Sequence, residues 1–135
     1  MIVALDTCDR NIAEQILAVQ TPAYQVEAEL IGFNEIPALK DTVDTIVNTE
    51  EIFIGWMAAG KLKGVLSYLY GEGVYQICRL TVHPQYFRQG IASNLLYHFL
   101  QSLEAGSSVW VSTGSLNIPA INLYKGCGFL TQKER

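Results

Sequence analysis

Leu80-Thr81-Val82-His83-Pro84 leads through Gln85 and Tyr86 into Phe87-Arg88-Gln89-Gly90-Ile91-Ala92, and this junction is the most informative part of the sequence. Val74 to Val82 is an apolar and aromatic run that reads as a strand, which His83-Pro84 closes. From Gly90 the period changes: Ile91, Leu95, Leu96, Phe99, Leu100 and Leu103 share a helical face, and Gly106 follows the last turn. A strand that turns tightly into a helix presents backbone N–H groups without intrahelical partners at the positive end of the helix dipole. That arrangement suits a phosphate or pyrophosphate. Gly90 permits close backbone approach, Ala92 leaves the next turn uncluttered, and Arg88 offers a charge-assisted contact to the same phosphates.

Upstream, the runs Ile52 to Ala59 and Leu62 to Tyr70 precede the Val74 run, separated by Gly60-Lys61 and by Gly71-Glu72-Gly73, which predicts an antiparallel meander. Met1 to Leu5 suits a strand, and Asp9 offers an N-cap before Ile12, Ala13, Ile16 and Leu17. Pro22 is read as the end of that helix. Tyr24 to Ile31 fits strand alternation and helical turns equally well, whereas Leu39, Val43, Ile46 and Val47 after Pro37 are helical in spacing, with Asn48 as the stop. Downstream, Val109 to Thr113 reads as a strand. A short helix is expected from Asn117, with Pro119 in its first turn, ending at Gly126 and Gly128 before a strand from Phe129. The order β-α-α-β-β-β-α-β-α-β predicts a mixed α/β fold, and without a repeat or linker the expectation is one domain over residues 1–135.

Half of the 135 residues are hydrophobic and 16% are charged, enough apolar content to drive collapse of a single core. The formal charge of -4 lacks the basic field that nonspecific nucleic-acid binding requires, so DNA and RNA are not expected partners. No apolar stretch approaches the ~20 residues that span a bilayer, and the start lacks the features of a signal peptide. A soluble cytoplasmic protein without membrane association is the expectation. Cys8, Cys78 and Cys127 are odd in number and far apart, which indicates reduced thiols, with neither a disulfide framework nor a metal site.

Taken with Asn117-Ile118-Pro119-Ala120-Ile121-Asn122-Leu123-Tyr124-Lys125-Gly126-Cys127-Gly128-Phe129, the junction resembles the GNAT superfamily of acyl-CoA-dependent N-acetyltransferases. Phe87 to Ala92 is similar to the family's pyrophosphate motif, usually Arg/Gln-x-x-Gly-x-Gly/Ala, and the later segment to its Asn-x-x-Ala-x-x-x-Tyr pattern ending in Gly-Phe. The resemblance covers nearly the whole chain. It implies a mostly antiparallel central sheet flanked by helices, and transfer of an acetyl group from acetyl-CoA, as co-substrate, to a primary amine of a small molecule or peptide. It further implies that backbone N–H groups of Arg88, Gln89, Gly90, Ile91, Ala92 and Ser93 hold the CoA pyrophosphate. Leu80, Thr81 and Val82 would pair with the pantetheine arm and offer an N–H to the thioester oxyanion. Asn117 would contact the cofactor, and Tyr124, two helical turns further on, would protonate the departing sulfur as general acid.

Three features depart from the family pattern. Phe87 replaces the usual first motif residue, which removes one side-chain contact to the phosphates. The strand ending at Val82 carries no carboxylate on the face that simple alternation assigns to Val82, Leu80, Cys78, Gln76 and Val74, although an amine must lose its proton before it attacks. Candidate bases elsewhere are Glu27, Glu29 and Glu72, all of residue types commonly found as solvated surface acids. Tyr24, Glu27 and Glu29, within Tyr24 to Phe33, are the expected acceptor contacts, and the acidic balance suits cationic amines such as polyamines, aminoglycosides or a basic peptide. Cys78, read as a buried strand residue, is expected to be an inert hydrophobe, and His83 to shape the strand end. Finally, seven residues follow Gly128, room for one strand rather than the usual hairpin, so the last strand is absent or a second copy completes the edge as a homodimer. The competing reading, from a different class, is a non-catalytic acyl-CoA binding or sensing module. A general nucleotide-phosphate binder is disfavoured because the loop lacks a P-loop pattern.

Overall fold

The structure, a computed structural model, describes residues 1–32, 35–104, 106–111 and 124. Strand β1 (Ile2–Leu5) leads to helix α1 (Arg10–Ile31), then a 3-10 turn at Pro37–Lys40 and helix α2 (Val43–Val47). Strands β2 (Ile52–Ala58), β3 (Lys61–Gly71) and β4 (Val74–Val82) follow, then a 3-10 turn at Pro84–Tyr86, helix α3 (Ile91–Gln101) and strand β5 (Ser108–Val111). The five strands form one sheet in the order β1-β2-β3-β4-β5, antiparallel except for the parallel pairing of β4 with β5. This is the mixed, mostly antiparallel sheet expected from the sequence. The predicted helix from Asn117 and strand from Phe129, and with them the question of the last strand, lie outside the described residues.

Helices cover both faces of the sheet. On one, Ala13, Ile16 and Val19 of α1 pack with Ile46, Phe53, Leu62 and Val65; on the other, Ile91, Leu95, Leu96 and Phe99 of α3 pack with Leu66, Ile77 and Val82. Gly64 sets the second contact. A Cβ there would lie 2.8 Å from Ile91 Cγ2 and 3.3 Å from both Leu95 Cδ1 and the Thr81 carbonyl, so the bare backbone lets the first turns of α3 seat on β3. Gly64→Ala is expected to cost about 1–3 kcal/mol through overpacking. Urea denaturation measures that loss, and an unchanged midpoint would show that the helix yields without cost.

Two expectations are corrected. Asp9 caps α1, its side chain accepting from the Asn11 N–H at 2.9 Å, but the helix does not end at Pro22. It runs to a left-handed Gly32 cap at φ 69°, and the ambiguous Tyr24–Ile31 segment is helical. Proline removes one backbone donor and crowds the preceding turn, yet the buried face continues across it through Ile16, Val19, Tyr24 and Ala28. Burial on both sides of Pro22 outweighs the local defect. Conversely, the single helix expected after Pro37 is split at Asp41 and Thr42. Thr42 and Thr45 form a reciprocal capping box that starts α2, while Asp41 adopts extended backbone and its carboxylate turns towards β4.

Candidate functional site

Along the outer edge of β4 lies a groove of about 540 Å³. One wall is α1, through Ala23, Val26, Glu27 and Leu30; the floor is Leu80, Thr81 and Val82; the far wall includes Phe87, Arg88 and the start of α3. β4 pairs with β3 throughout this stretch, but its described pairing with β5 stops at Ile77 opposite Val111. Among the described residues the outer edge from Cys78 to Val82 therefore has no strand partner.

Gly90 is the N-cap of α3 at φ 79° and among the described residues no side chain caps the helix, which leaves the N–H groups of its first turn for another acceptor. Arg88 is also left-handed, at φ 65°, a conformation a non-glycine residue adopts at a cost. His83 shapes the strand end as expected, its Nδ1 accepting from the Gln85 N–H at 3.1 Å. The structure thus gathers Leu80, Thr81, Val82, Arg88, Gly90, Ile91, Ala92 and Ser93 around one groove. Gln89 is exposed and outside the lining. Thr81 is 7% exposed, and its Oγ1 is buried without a hydrogen-bond partner among the described residues.

A smaller pocket, about 90 Å³, adjoins the groove across Glu27 and Leu80, which line both. Its other walls are Tyr24, Tyr124, Val111 and the β4 residues Ile77, Cys78 and Arg79. Tyr24, Glu27 and Tyr124, assigned separately from the sequence, therefore meet at one point beside the strand edge. Burial pushes the Tyr24 phenol well above its ordinary value; the positive charge of Arg79 opposes that shift, while Glu27, Tyr124 and Glu51 reinforce it. Glu29 is exposed and lines neither cavity, and Glu72 is exposed in the β3–β4 turn. Asn117 lies outside the described residues.

Strand alternation fails within β4. Ser67 pairs with Arg79 but Tyr68 pairs with Ile77, so Cys78 is an extra residue in a β-bulge. On the N-terminal side of the bulge it is Ile77 and Tyr75, not Cys78 and Gln76, that join Leu80 and Val82 against α3. Neither is a carboxylate. The bulge also corrects the expected burial of Cys78, which is exposed. Desolvation raises its thiol pKa, with help from the Glu51 charge and against that of Arg79, which disfavours a thiolate nucleophile.

Arg79, beside the bulge, turns to the α1 face and anchors a polar network that motif reading missed. Its NH1 donates to Asp41 Oδ2 at 2.6 Å and Gln20 Oε1 at 2.9 Å, while Nε and NH2 reach the two Glu51 oxygens at 2.9 and 3.3 Å. Gln20 Nε2 also donates to Asp41 at 2.8 Å, and Ser67 Oγ to Glu51 at 2.7 Å. Burial alone would lower the guanidinium pKa, but the Glu51 and Asp41 hydrogen bonds and charges outweigh it and hold the charged form. The network fixes β4 against α1 and the loop before α2, directly beneath the small pocket. An arginine inside an apolar strand was the available signal.

Among the described residues no helix is long and apolar enough to cross a membrane. The chain is 44% identical over 129 residues to "UPF0157 protein YqkA" of Bacillus subtilis (strain 168), a match that covers 96% of this chain and 38% of that relative's length. In three dimensions it superposes on the ribosomal-protein-S18-alanine N-acetyltransferase of Escherichia coli with a TM-score of 0.74 at 22% identity, covering 98% of this chain and 79% of that one. It superposes on the PaiA N-acetyltransferase of Thermoplasma acidophilum, solved in complex with coenzyme A, with a TM-score of 0.78 at 15% identity, covering 100% and 93%. Residues 13–129 match the model of the acetyltransferase (GNAT) family, so the groove, the α3 N-terminus and Tyr124 all fall within the match, and the chain belongs to that family of acyltransferases.

Proposed function

We propose that the chain is an N-acetyltransferase that moves the acetyl group of acetyl-CoA to a primary amine of a small molecule or peptide by direct attack, with Tyr124 as general acid on the leaving thiolate. The observation that carries this reading is the continuity of the groove, from the strand edge at Leu80 to Val82 to the uncapped first turn of α3, with Tyr124 in the adjoining pocket. The residues present fit coenzyme A. Among the described residues, the uncapped N–H groups of α3 and Arg88 suit a pyrophosphate, an unpartnered strand edge suits an amide-bearing arm, and Phe87 adds apolar surface in place of a charged contact.

Acetyl-CoA supplies an acyl group activated as a thioester. The outer backbone edge of Leu80 to Val82 offers an N–H to the thioester carbonyl oxygen and stabilises the negative charge that develops there. As the C–N bond forms and the C–S bond breaks, Tyr124 donates its phenolic proton to sulfur. Glu27, which lines both cavities, takes the proton the amine loses, directly or through water. Of the three carboxylates considered from the sequence, it is the one that reaches this position.

Calorimetric titration with acetyl-CoA, CoA and ATP tests the assignment without knowledge of the acceptor. Saturable binding of acetyl-CoA and CoA, but not ATP, is expected. Gly90→Val forces a β-branched side chain into a backbone at φ 79° and is expected to weaken acetyl-CoA about tenfold, from ~1–2 kcal/mol of strain in the phosphate-facing turn. Failure of acetyl-CoA or CoA to bind overturns the proposal. Binding without amine-dependent thiol release across a broad panel would instead establish an acyl-CoA sensor.

A further inference from the structure

The groove's chemistry also narrows the acceptor. We infer that it is a primary amine with a single positive charge on an apolar body, its ammonium paired with Glu27; this rests on the acetyl transfer proposed above and specifies its substrate.

The first observation is the supply of negative charge. Among the described residues, Glu27 is the one carboxylate that lines either cavity. Asp41 and Glu51 lie nearby but are committed to Arg79 at 2.6 and 2.9 Å. Asp44 pairs with Arg10, and Asp9 caps α1. Beyond the described residues the sequence adds a single acid, Glu134, against Lys125, Lys133 and Arg135. Among the described residues, the acids other than Glu27 thus lie outside the lining of both cavities. A polyamine or aminoglycoside would bring further ammonium groups against apolar walls or Arg88, and desolvating a cation without a partner is costly.

The second observation is the wall itself. Val26 and Leu30 of α1, on the wall of the groove opposite the α3 N-terminus that is assigned to the cofactor, are 40% and 51% exposed. With Ala23 they flank Glu27 with hydrocarbon, a surface that gains by covering an apolar body and gains nothing from a hydrated one.

The test is kcat/KM by thiol release at saturating acetyl-CoA for matched amines: hexylamine and 2-phenylethylamine, the hydrophilic monoamine ethanolamine, and the polycations spermidine and kanamycin. The apolar monoamines are expected to exceed the others about tenfold or more. Glu27→Gln should lower kcat through loss of the base and also raise KM for hexylamine about tenfold, while calorimetry finds acetyl-CoA affinity unchanged. Leu30→Asp, at a helix position 51% exposed, should shift preference towards spermidine. Preference of the wild-type chain for polycations, or an unchanged hexylamine KM in Glu27→Gln, overturns the inference while leaving acetyl transfer standing. Acetyl-CoA binding without turnover of any amine overturns acetyl transfer and the inference with it.

Discussion

Arg79→Met is expected to destabilise the fold by about 3 kcal/mol, the lower end of what breaking a buried ion network costs, and to lower Tm by roughly 10 °C in a chain of this size. The side chain is 12% exposed and meets two carboxylates on separate elements, so its removal strands both Asp41 and Glu51 in a partly desolvated site. Methionine fills the volume and supplies no compensating charge. The cost therefore comes from the unpaired acids rather than from a cavity. A second set of variants separates these causes: adding Asp41→Asn and Glu51→Gln to Arg79→Met should recover part of the loss, because neutral partners tolerate burial better than stranded charges. Thermal and urea unfolding measure both. If the triple variant is less stable than Arg79→Met alone, packing and not charge accounts for the effect. Activity is expected to fall with stability, since the same network seats α1, and with it Tyr24 and Glu27, over the bulge in β4.

How far the sequence revealed this arrangement follows from the range of each interaction. The β4–α3 junction was legible because its signals are local: a change from strand to helical period, a glycine at the helix start and a proline at the strand end all fall between Val82 and Ile91. The run of α1 past Pro22 was not, because the local rule against proline was overridden by burial of Tyr24 and Ala28, which depends on what lies beneath them. Alternation along β4 misassigned Cys78 because one extra residue inverts every later side chain, and that residue is defined by the partner strand's register. Arg79 stood out in its strand, but its partners Glu51 and Gln20 are 28 and 59 residues away, beyond any spacing rule. Glu27 was named among three acids with nothing to rank them. Only the helical reading of Tyr24–Ile31 turns Glu27 towards the strand edge and leaves Glu29 in solvent.

Tyr124→Phe is expected to lower kcat by about 10²–10³, the scale of losing a positioned general acid, while acetyl-CoA affinity stays within about twofold. The hydroxyl is the sole atom removed, and Tyr124 lines the small pocket rather than the groove proposed to hold the cofactor, so ground-state binding is not its main contribution. The second phenol in that pocket does not replace it. Tyr24 is largely buried, and desolvation holds its proton firmly, which makes it a poor donor to a forming thiolate. Leaving-group chemistry distinguishes acid catalysis from packing. An acetyl thioester of an acidic aryl thiol needs little proton donation as its C–S bond breaks, so the ratio of wild-type to Tyr124→Phe rates should shrink towards unity with such a donor. A merely structural role predicts a similar defect with every thioester. Equal turnover of both proteins with acetyl-CoA would remove Tyr124 from the chemistry altogether, and Glu27 at the junction of the two cavities would then be the side chain to pursue.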